Sequence, residues 1–291
     1  MKMNIAELQR ATAMKVIAAM ETSGTNWCKD WTPKNGQRPT SISTGKAYSG
    51  INTLILGLTR MAKGWRSHEY GTFNAWRAKG YNVAEGQKAT HIVWYSSGTR
   101  KVQNDDGTEE NQSWRVAKTF PVFNAEQIAD YSPADIGNVP EVTTKPNTAM
   151  DKLAGDVSAN VRNVDLAQAF YVPSADYINM PAIDQFTNAE AYACTLGHEL
   201  THWTGHKSRL DRDLKDNYAL EELVAELGSA MLAASLGISP EPRDDHAKYL
   251  SNWIKDISDK PATIMSAAAK AQAATSYLLD AQATSQIGLA A

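Results

Sequence analysis

Apolar residues recur at helical spacing near the start of the chain. Ile5, Leu8, Val16 and Met20 predict a helix over residues 4–22, with Gly24 as its stop and Thr12 interrupting the stripe. Ile51, Leu54, Ile55 and Leu58 predict a second helix over 50–63, and the stretch 25–50 between them, with Pro33, Gly36, Pro39 and Gly45, reads as loop. Alternation then takes over. Ala89 to Tyr95 and Trp114 to Phe123 read as strands, and the polar, acidic stretch 96–112 between them reads as a hairpin tip or flexible loop. Residues 131–150 are rich in Pro, Thr and Asn and lack periodicity, which marks a linker. Beyond it the pattern predicts a short helix near 148–157 and strands at Phe170–Val172 and Asp176–Pro181. A helix follows with Tyr192, Leu196 and Leu200 on its buried stripe, a Thr187–Glu190 capping box before it and Gly205 after it. The next helix, from Tyr218, is ended by Gly237 with Pro240 beyond, and helices over 243–258 and 261–280 close the chain.

These elements describe an α+β chain in two parts, as 291 residues suggest. The division is an α+β domain over 1–130, a linker over 131–146 and a mostly helical domain over 147–291. Hydrophobic content of 43% is ordinary for a globular protein with a sizeable core. There is no apolar run near 18 residues, so no membrane span is expected. The first residues lack a signal-peptide core, and Cys28 and Cys194 lie far apart with no metal pattern. Both features fit a reducing cytoplasm.

Charge changes the picture. Residues 1–100 hold 14 Lys and Arg against 5 Asp and Glu, a net of +9, whereas residues 131–291 hold 12 against 21, a net of −9. Such asymmetry points to nucleic acid at the basic half. Six of the eight Trp residues lie within 1–114, interleaved with Lys and Arg. Single-strand binders use this pairing, because cations track phosphates while rings stack on bases. A domain of this size also needs an aromatic core, so Trp65, Trp76 and Trp94 are assigned to it. Trp31 and Tyr48 lie in a Gly/Pro-rich loop among Lys34, Arg38 and Lys46 and are the stacking candidates.

The densest chemistry is Gly197-His198-Glu199-Leu200-Thr201-His202-Trp203-Thr204-Gly205-His206. His-Glu-x-x-His on a helix puts His198 and His202 on one face, where they can bind one metal ion. Glu199 then lies beside the open coordination position as a general base. A catalytic zinc site takes a third protein ligand. Glu222 and Glu226 share a face of the following helix, so one can bind the metal while the other orients a ligand histidine. Their spacing resembles the Glu-x-x-x-Asp arrangement of gluzincins, which puts Glu222 first. His206 is read as structural or as a support for the ligands and not as a ligand itself, because its spacing is short of His-Glu-x-x-His-x-x-Gly-x-x-His. The expected ion is zinc, with another divalent ion such as manganese as the alternative. A strand shortly before such a helix is what zincins use as an edge to hold extended substrate. Tyr249 and His246 are candidate donors to an oxyanion.

Together these residues resemble the ArdC-type antirestriction proteins of conjugative plasmids and phages, whose N-terminal domain also begins TraC-type plasmid primases. The N-terminal likeness rests on Trp27-x-x-x-Trp31, Pro39, Thr44-Gly-Lys46-Ala-Tyr48-Ser-Gly50-Ile51-Asn52, Gly71-Thr72-Phe73 and Val93-Trp94. Asn26 and Cys28 depart from the usual Pro-Trp pattern there. The C-terminal likeness rests on Asp176-x-Ile178-x-Met180-Pro181, His198 to His206, Arg209-Leu210 and Glu221-Glu-Leu-Val-Ala-Glu226. The resemblance implies a single-stranded-DNA-binding domain joined to a zincin-like metallopeptidase domain, protecting incoming DNA from host restriction. It implies Trp31, Lys46, Tyr48 and Asn52 on the DNA side, and His198, His202 and a Glu of the 221–226 run at the metal. The implied partners are single-stranded DNA and a restriction-system or other host protein as peptidase substrate. The alternative is a conjugation or replication accessory that binds DNA and carries a non-catalytic metal site.

Overall fold

The structure is a computed structural model and describes residues 3–28, 38–103, 109–133, 146–163, 168–214, 217–239, 241 and 247–289. Helix α1 (Ile5–Ser23) begins at a full capping box: the Asn4 side chain accepts from Glu7 N, and the Glu7 carboxylate accepts from Asn4 N. Thr12 does not break its stripe. It is buried because its hydroxyl donates to the Leu8 carbonyl at 2.8 Å, inside the helix's own ladder. Helix α2 (Ile51–Lys63) ends at Gly64 in the left-handed conformation. Between them lies the two-residue strand β1 (Thr40–Ser41).

A four-stranded sheet follows, in the order β1-β2-β4-β3, from β1, β2 (Glu69–Gly71), β3 (Thr90–Gln103) and β4 (Glu109–Asn124). The short helix α3 (Phe73–Ala78) sits between β2 and β3. The β3–β4 hairpin is longer than the hydrophobic alternation suggested, pairing from Thr90↔Val122 out to Gln103↔Glu109. Residues 96–103 and 109–113, which the alternation leaves out, are mostly polar in sequence, Val102 excepted, so no apolar periodicity reports the ladder that continues through them.

Helix α4 (Pro146–Asp156) and a three-stranded sheet, β5 (Val161–Arg162), β6 (Phe170–Val172) and β7 (Tyr177–Asn179), open the second half. The sheet order is β5-β7-β6, so the strand just before the metal-motif helix is internal, and β6 is an edge. Helices α5 (Ala189–Thr204), α6 (Tyr218–Leu236), α7 (Ala247–Asp259) and α8 (Ala262–Leu289) complete the chain. The cap of α5 is Asn188, whose side chain accepts from Ala191 N at 2.7 Å, rather than Thr187. Both residues can cap. The extended backbone at Asn188 decides which one does.

The largest apolar cluster runs across both halves of the chain. Leu8, Val16 and Met20 of α1 and Leu54, Ile55 and Leu58 of α2 share it with Leu223 and Leu227 of α6, Trp253 of α7 and Ile264 of α8. A second cluster, under Leu196 and Leu200 of α5, Leu232 of α6 and Leu278 of α8, carries the metal-motif helix. Residues 134–145, most of the expected linker, lie outside the described residues.

Candidate metal centre

Helices α5 and α6 pack face to face, and small residues set their separation. A Cβ on Gly228 of α6 would come within 2.5 Å of the Thr201 side chain on α5, so only glycine permits this approach. The contact brings together the Nε2 atoms of His198 and His202, 3.1 Å apart, and the Glu222 carboxylate. Glu222 sets one oxygen 3.5 Å from His198 Nε2 and the other 3.4 Å from His202 Nε2. All three donors lie within 4.8 Å of one another. Ligand atoms around a tetrahedral zinc with bonds near 2.05 Å sit about 3.3–3.4 Å apart, so this donor set fits a divalent ion.

Each imidazole is approached from behind by a carboxylate. Glu221 lies 3.3 Å from His202 Nδ1, and Glu226 lies 4.0 Å from His198 Nδ1. Glu222, which the gluzincin-like spacing puts first, and Glu226 thus occupy different positions: one faces both Nε2 atoms, the other an outer nitrogen. Glu221 was not singled out by periodicity, which treats it as the neighbour of a ligand and not as a partner. It is clamped by Arg212, whose Nη2 donates to Oε1 at 2.7 Å and whose Nε donates to Oε2 at 3.2 Å. Arg212 also donates to the Thr201 carbonyl and the Thr204 hydroxyl, which ties the 205–214 turn to α5. Gly205 serves that turn. Its φ of −74° is ordinary, but a Cβ there would meet Leu214 at 2.5 Å and Arg212 at 3.0 Å. His206 turns away and faces Ser208, with its Nδ1 2.7 Å from the hydroxyl.

Burial opposes charge on His202, but its bonds to Glu221 and Glu222, with the nearby charge of Glu199, outweigh it and push its pKa up to about 9. Burial likewise opposes charge on Glu222, and contact with both histidines overrides it, holding the carboxyl far below the usual range. The cluster is therefore a strong cation trap, satisfied by a proton or by a metal. Glu199 is buried on the same helix. Burial, with bonds to Tyr249 and Glu222, raises the Tyr218 phenol above its ordinary value. Tyr249 packs against Tyr218 with ring centroids 5.8 Å apart, and His246 lies outside the described residues. Edge strand β6 is joined to α5 through Arg209, which donates to the Tyr171 hydroxyl at 3.2 Å and to Asp176 Oδ2, in the turn after β6, at 3.0 Å, and lies 3.7 Å over the Trp203 ring.

Residues 148–270 match the family model of a zincin-like metallopeptidase, and residues 6–123 match that of the N-terminal domain of anti-restriction factor ArdC. The crystal structure of the antirestriction protein ArdC from plasmid R388, in its metal-free form, superposes with a TM-score of 0.77 at 35% identity, over 96% of this chain and 98% of that one. The chain belongs to the ArdC family of antirestriction proteins. The Mn(II)-bound structure of the same ArdC superposes with a TM-score of 0.75, also at 35% identity, over 95% of this chain and 98% of that one. An uncharacterized protein, y4eC, of Sinorhizobium fredii is 30% identical over 96% of this chain and 93% of its own length. Two Escherichia coli DNA primases named TraC are 34% and 33% identical over 92% of this chain, which spans only 26% and 19% of their length.

The remaining residues expected on the DNA side of this ArdC-family chain are scattered in role. Trp31 and Lys34 lie outside the described residues. Arg38 is partly buried, and burial lowers its pKa. Lys46 is exposed, and Tyr48 is half-buried against the Leu56, Tyr70, Ile92 and Val122 cluster. Asn52 clamps the edge of β3: its Nδ2 donates to the Val93 carbonyl at 2.7 Å, and its Oδ1 accepts from Val93 N at 2.8 Å. Trp76 is fully buried and Trp65 partly so, but Trp94 is 48% exposed and does not belong to the core. Alternation places Trp94 on a sheet face, and the cover over that face stops short of it. No helix among the described residues is long and apolar enough to cross a membrane.

Proposed function

We propose that this chain protects DNA through two working parts, an N-terminal region that binds single-stranded DNA and a metal-dependent peptide-hydrolysing centre on α5 and α6. The observation that carries the second part is the triangle of His198, His202 and Glu222, with edges of 3.1, 3.5 and 3.4 Å. A divalent ion held by these three would supply a polarised carbonyl and a water activated near neutral pH. Glu199 takes the proton from the attacking water and returns it to the departing amine. Glu221 and Glu226 hold the two imidazoles in their ligating orientation. Two imidazoles and a carboxylate suit zinc. The Mn(II)-bound relative makes manganese the alternative. The substrate class is a protein of the restriction system or of the host. The +9 charge of residues 1–100 supports the DNA part.

The burial of the centre favours a second reading. His198 and Glu199 retain only 1% and 3% of their surface, so a metal there can also serve as a fold-stabilising ion, with protection coming from DNA occlusion alone. One experiment separates the two. Wild type purified without chelator is analysed for metal. Wild type and Glu199→Gln are then assayed for peptide hydrolysis with and without single-stranded DNA, and for protection of DNA from restriction. Hydrolysis by wild type and its loss in a folded, metal-loaded Glu199→Gln are expected. Undiminished hydrolysis by that variant would exclude Glu199 as the base. No hydrolysis by wild type, with protection intact in both proteins, would establish the second reading. Wild type free of metal would remove the metal centre from the account.

A further inference from the structure

The β3–β4 hairpin carries a surface that the metal centre does not use. Directly paired residues share a face in an antiparallel ladder, so Ile92 with Phe120, Trp94 with Lys118 and Ser96 with Val116 form one face. At its inner end that face is covered. Ile92 and Val122 are buried with Leu56 and Tyr70, and Tyr48 and Trp65 pack on them. One pair further out the cover ends. Trp94 is 48% exposed and Phe120 40%, and their rings meet edge to face at 6.4 Å. Lys118 is exposed directly across from Trp94.

The other face anchors the hairpin. Val93 is buried in the main core, and the Thr119 hydroxyl donates to the Met3 carbonyl. The aromatic pair therefore stands on a fixed base. β3 is the outer strand of its sheet, but Asn52 already occupies both backbone groups of Val93. An added strand cannot pair at Val93, next to the exposed rings, and the surface those rings present is the face. What the face offers is two aromatic surfaces and a cation, in an N-terminal region that holds 17 Lys and Arg against 11 Asp and Glu over residues 1–130, a net of +6. A flat, anionic, unpaired polymer matches all three features.

We infer that Trp94 and Phe120, with Lys118 across the ladder and Tyr48 at the covered end, form the platform on which bases of single-stranded DNA stack. The inference rests on the reading that the N-terminal region binds single-stranded DNA, and adds where on the fold the bases sit.

The test is fluorescence anisotropy of labelled oligothymidylate with the full-length protein over a salt series. The variants are Trp94→Ala/Phe120→Ala, Trp94→Phe, Lys118→Ala and Tyr95→Ala, each checked by thermal melting. Tyr95 is the control, being 60% exposed on the opposite face of the same strand. The double variant should bind about 30-fold more weakly or worse, with an unchanged salt slope, because it loses two stacked bases and no charge. Trp94→Phe keeps a ring and should retain most of the affinity. Lys118→Ala should reduce the slope by about 0.7, and Tyr95→Ala should do neither. If wild type binds and the folded double variant binds equally well, the platform is refuted while the DNA reading stands. If wild type does not bind at all, the DNA reading itself fails and takes the platform with it. If light scattering shows that the double variant dissolves a dimer and leaves DNA affinity unchanged, the face joins two copies of the chain, and the inference is overturned.

Discussion

Replacing Glu222 by Ala should cost the centre far more metal affinity than replacing Glu226. Glu222 faces both imidazole Nε2 atoms, at 3.5 and 3.4 Å, so its loss removes one of three donors. Glu226 lies against the outer nitrogen of His198, at 4.0 Å, and so acts through that ring. Carboxylates acting through a ligand histidine are worth 10–100-fold in affinity, about 1.4–2.7 kcal/mol. At 4.0 Å the Glu226 contact is beyond good hydrogen-bond range, so its loss belongs near the 10-fold end. Glu221 lies at 3.3 Å from His202 and is held by Arg212, so Glu221→Ala belongs near 100-fold. Glu222→Ala should exceed both. The assay is competition of each purified variant against a chromophoric chelator, with circular dichroism confirming the helices. A Glu222→Ala protein that stays within about tenfold of wild type would refute the reasoning, as would a Glu226→Ala protein that loses as much as Glu222→Ala.

Two further substitutions test the frame that holds the site. Gly228→Ala would drive a methyl to within 2.5 Å of Thr201. It should destabilise by about 1–3 kcal/mol in a thermal melt and weaken metal binding, with partial rescue by Thr201→Ala. An unchanged Tm and affinity would show that the helices do not need that contact. Asp176→Asn loses the Arg209 pair, which holds the Asp176 carboxyl below its usual range. A carboxyl lowered in the folded state contributes stability above its unfolded pKa of about 3.9 and loses it as pH falls further. The variant should melt about 2–4 °C lower at pH 7, for roughly 1 kcal/mol, and the gap should close on acidification. A gap that is constant with pH would mean that the pair's charge contributes nothing.

Local chemistry was legible along the chain. His198 and His202 needed only helical spacing to share a face, because the rotation per residue is a property of the helix itself. The glycine stop at 237, in the left-handed conformation, was readable from local backbone chemistry, as was the inward stripe of Leu196 and Leu200; Gly205 also ends its helix, but at an ordinary φ and under a packed turn. Which glutamate meets the histidines was readable only as a preference for Glu222 from its spacing. Glu222 and Glu226 lie one turn apart on the same face, so the choice belongs to how α5 crosses α6, and that is set by the Gly228–Thr201 contact. The Arg212 clamp on Glu221 has no spacing rule, because it depends on a turn folded back over Gly205. Trp94 shows the same limit on a sheet. Alternation says that it points opposite to Val93, but whether that side is core or solvent depends on how far Tyr48 and Trp65 cover the face. The stretches 96–103 and 109–113 of the hairpin were not legible for a third reason: they are mostly polar, and the backbone pairing that continues the ladder is the same in every residue. The composition shift between the halves was plain, but α1 and α2 close much of their core against α6, α7 and α8, a pairing between elements some two hundred residues apart in sequence that no local pattern encodes.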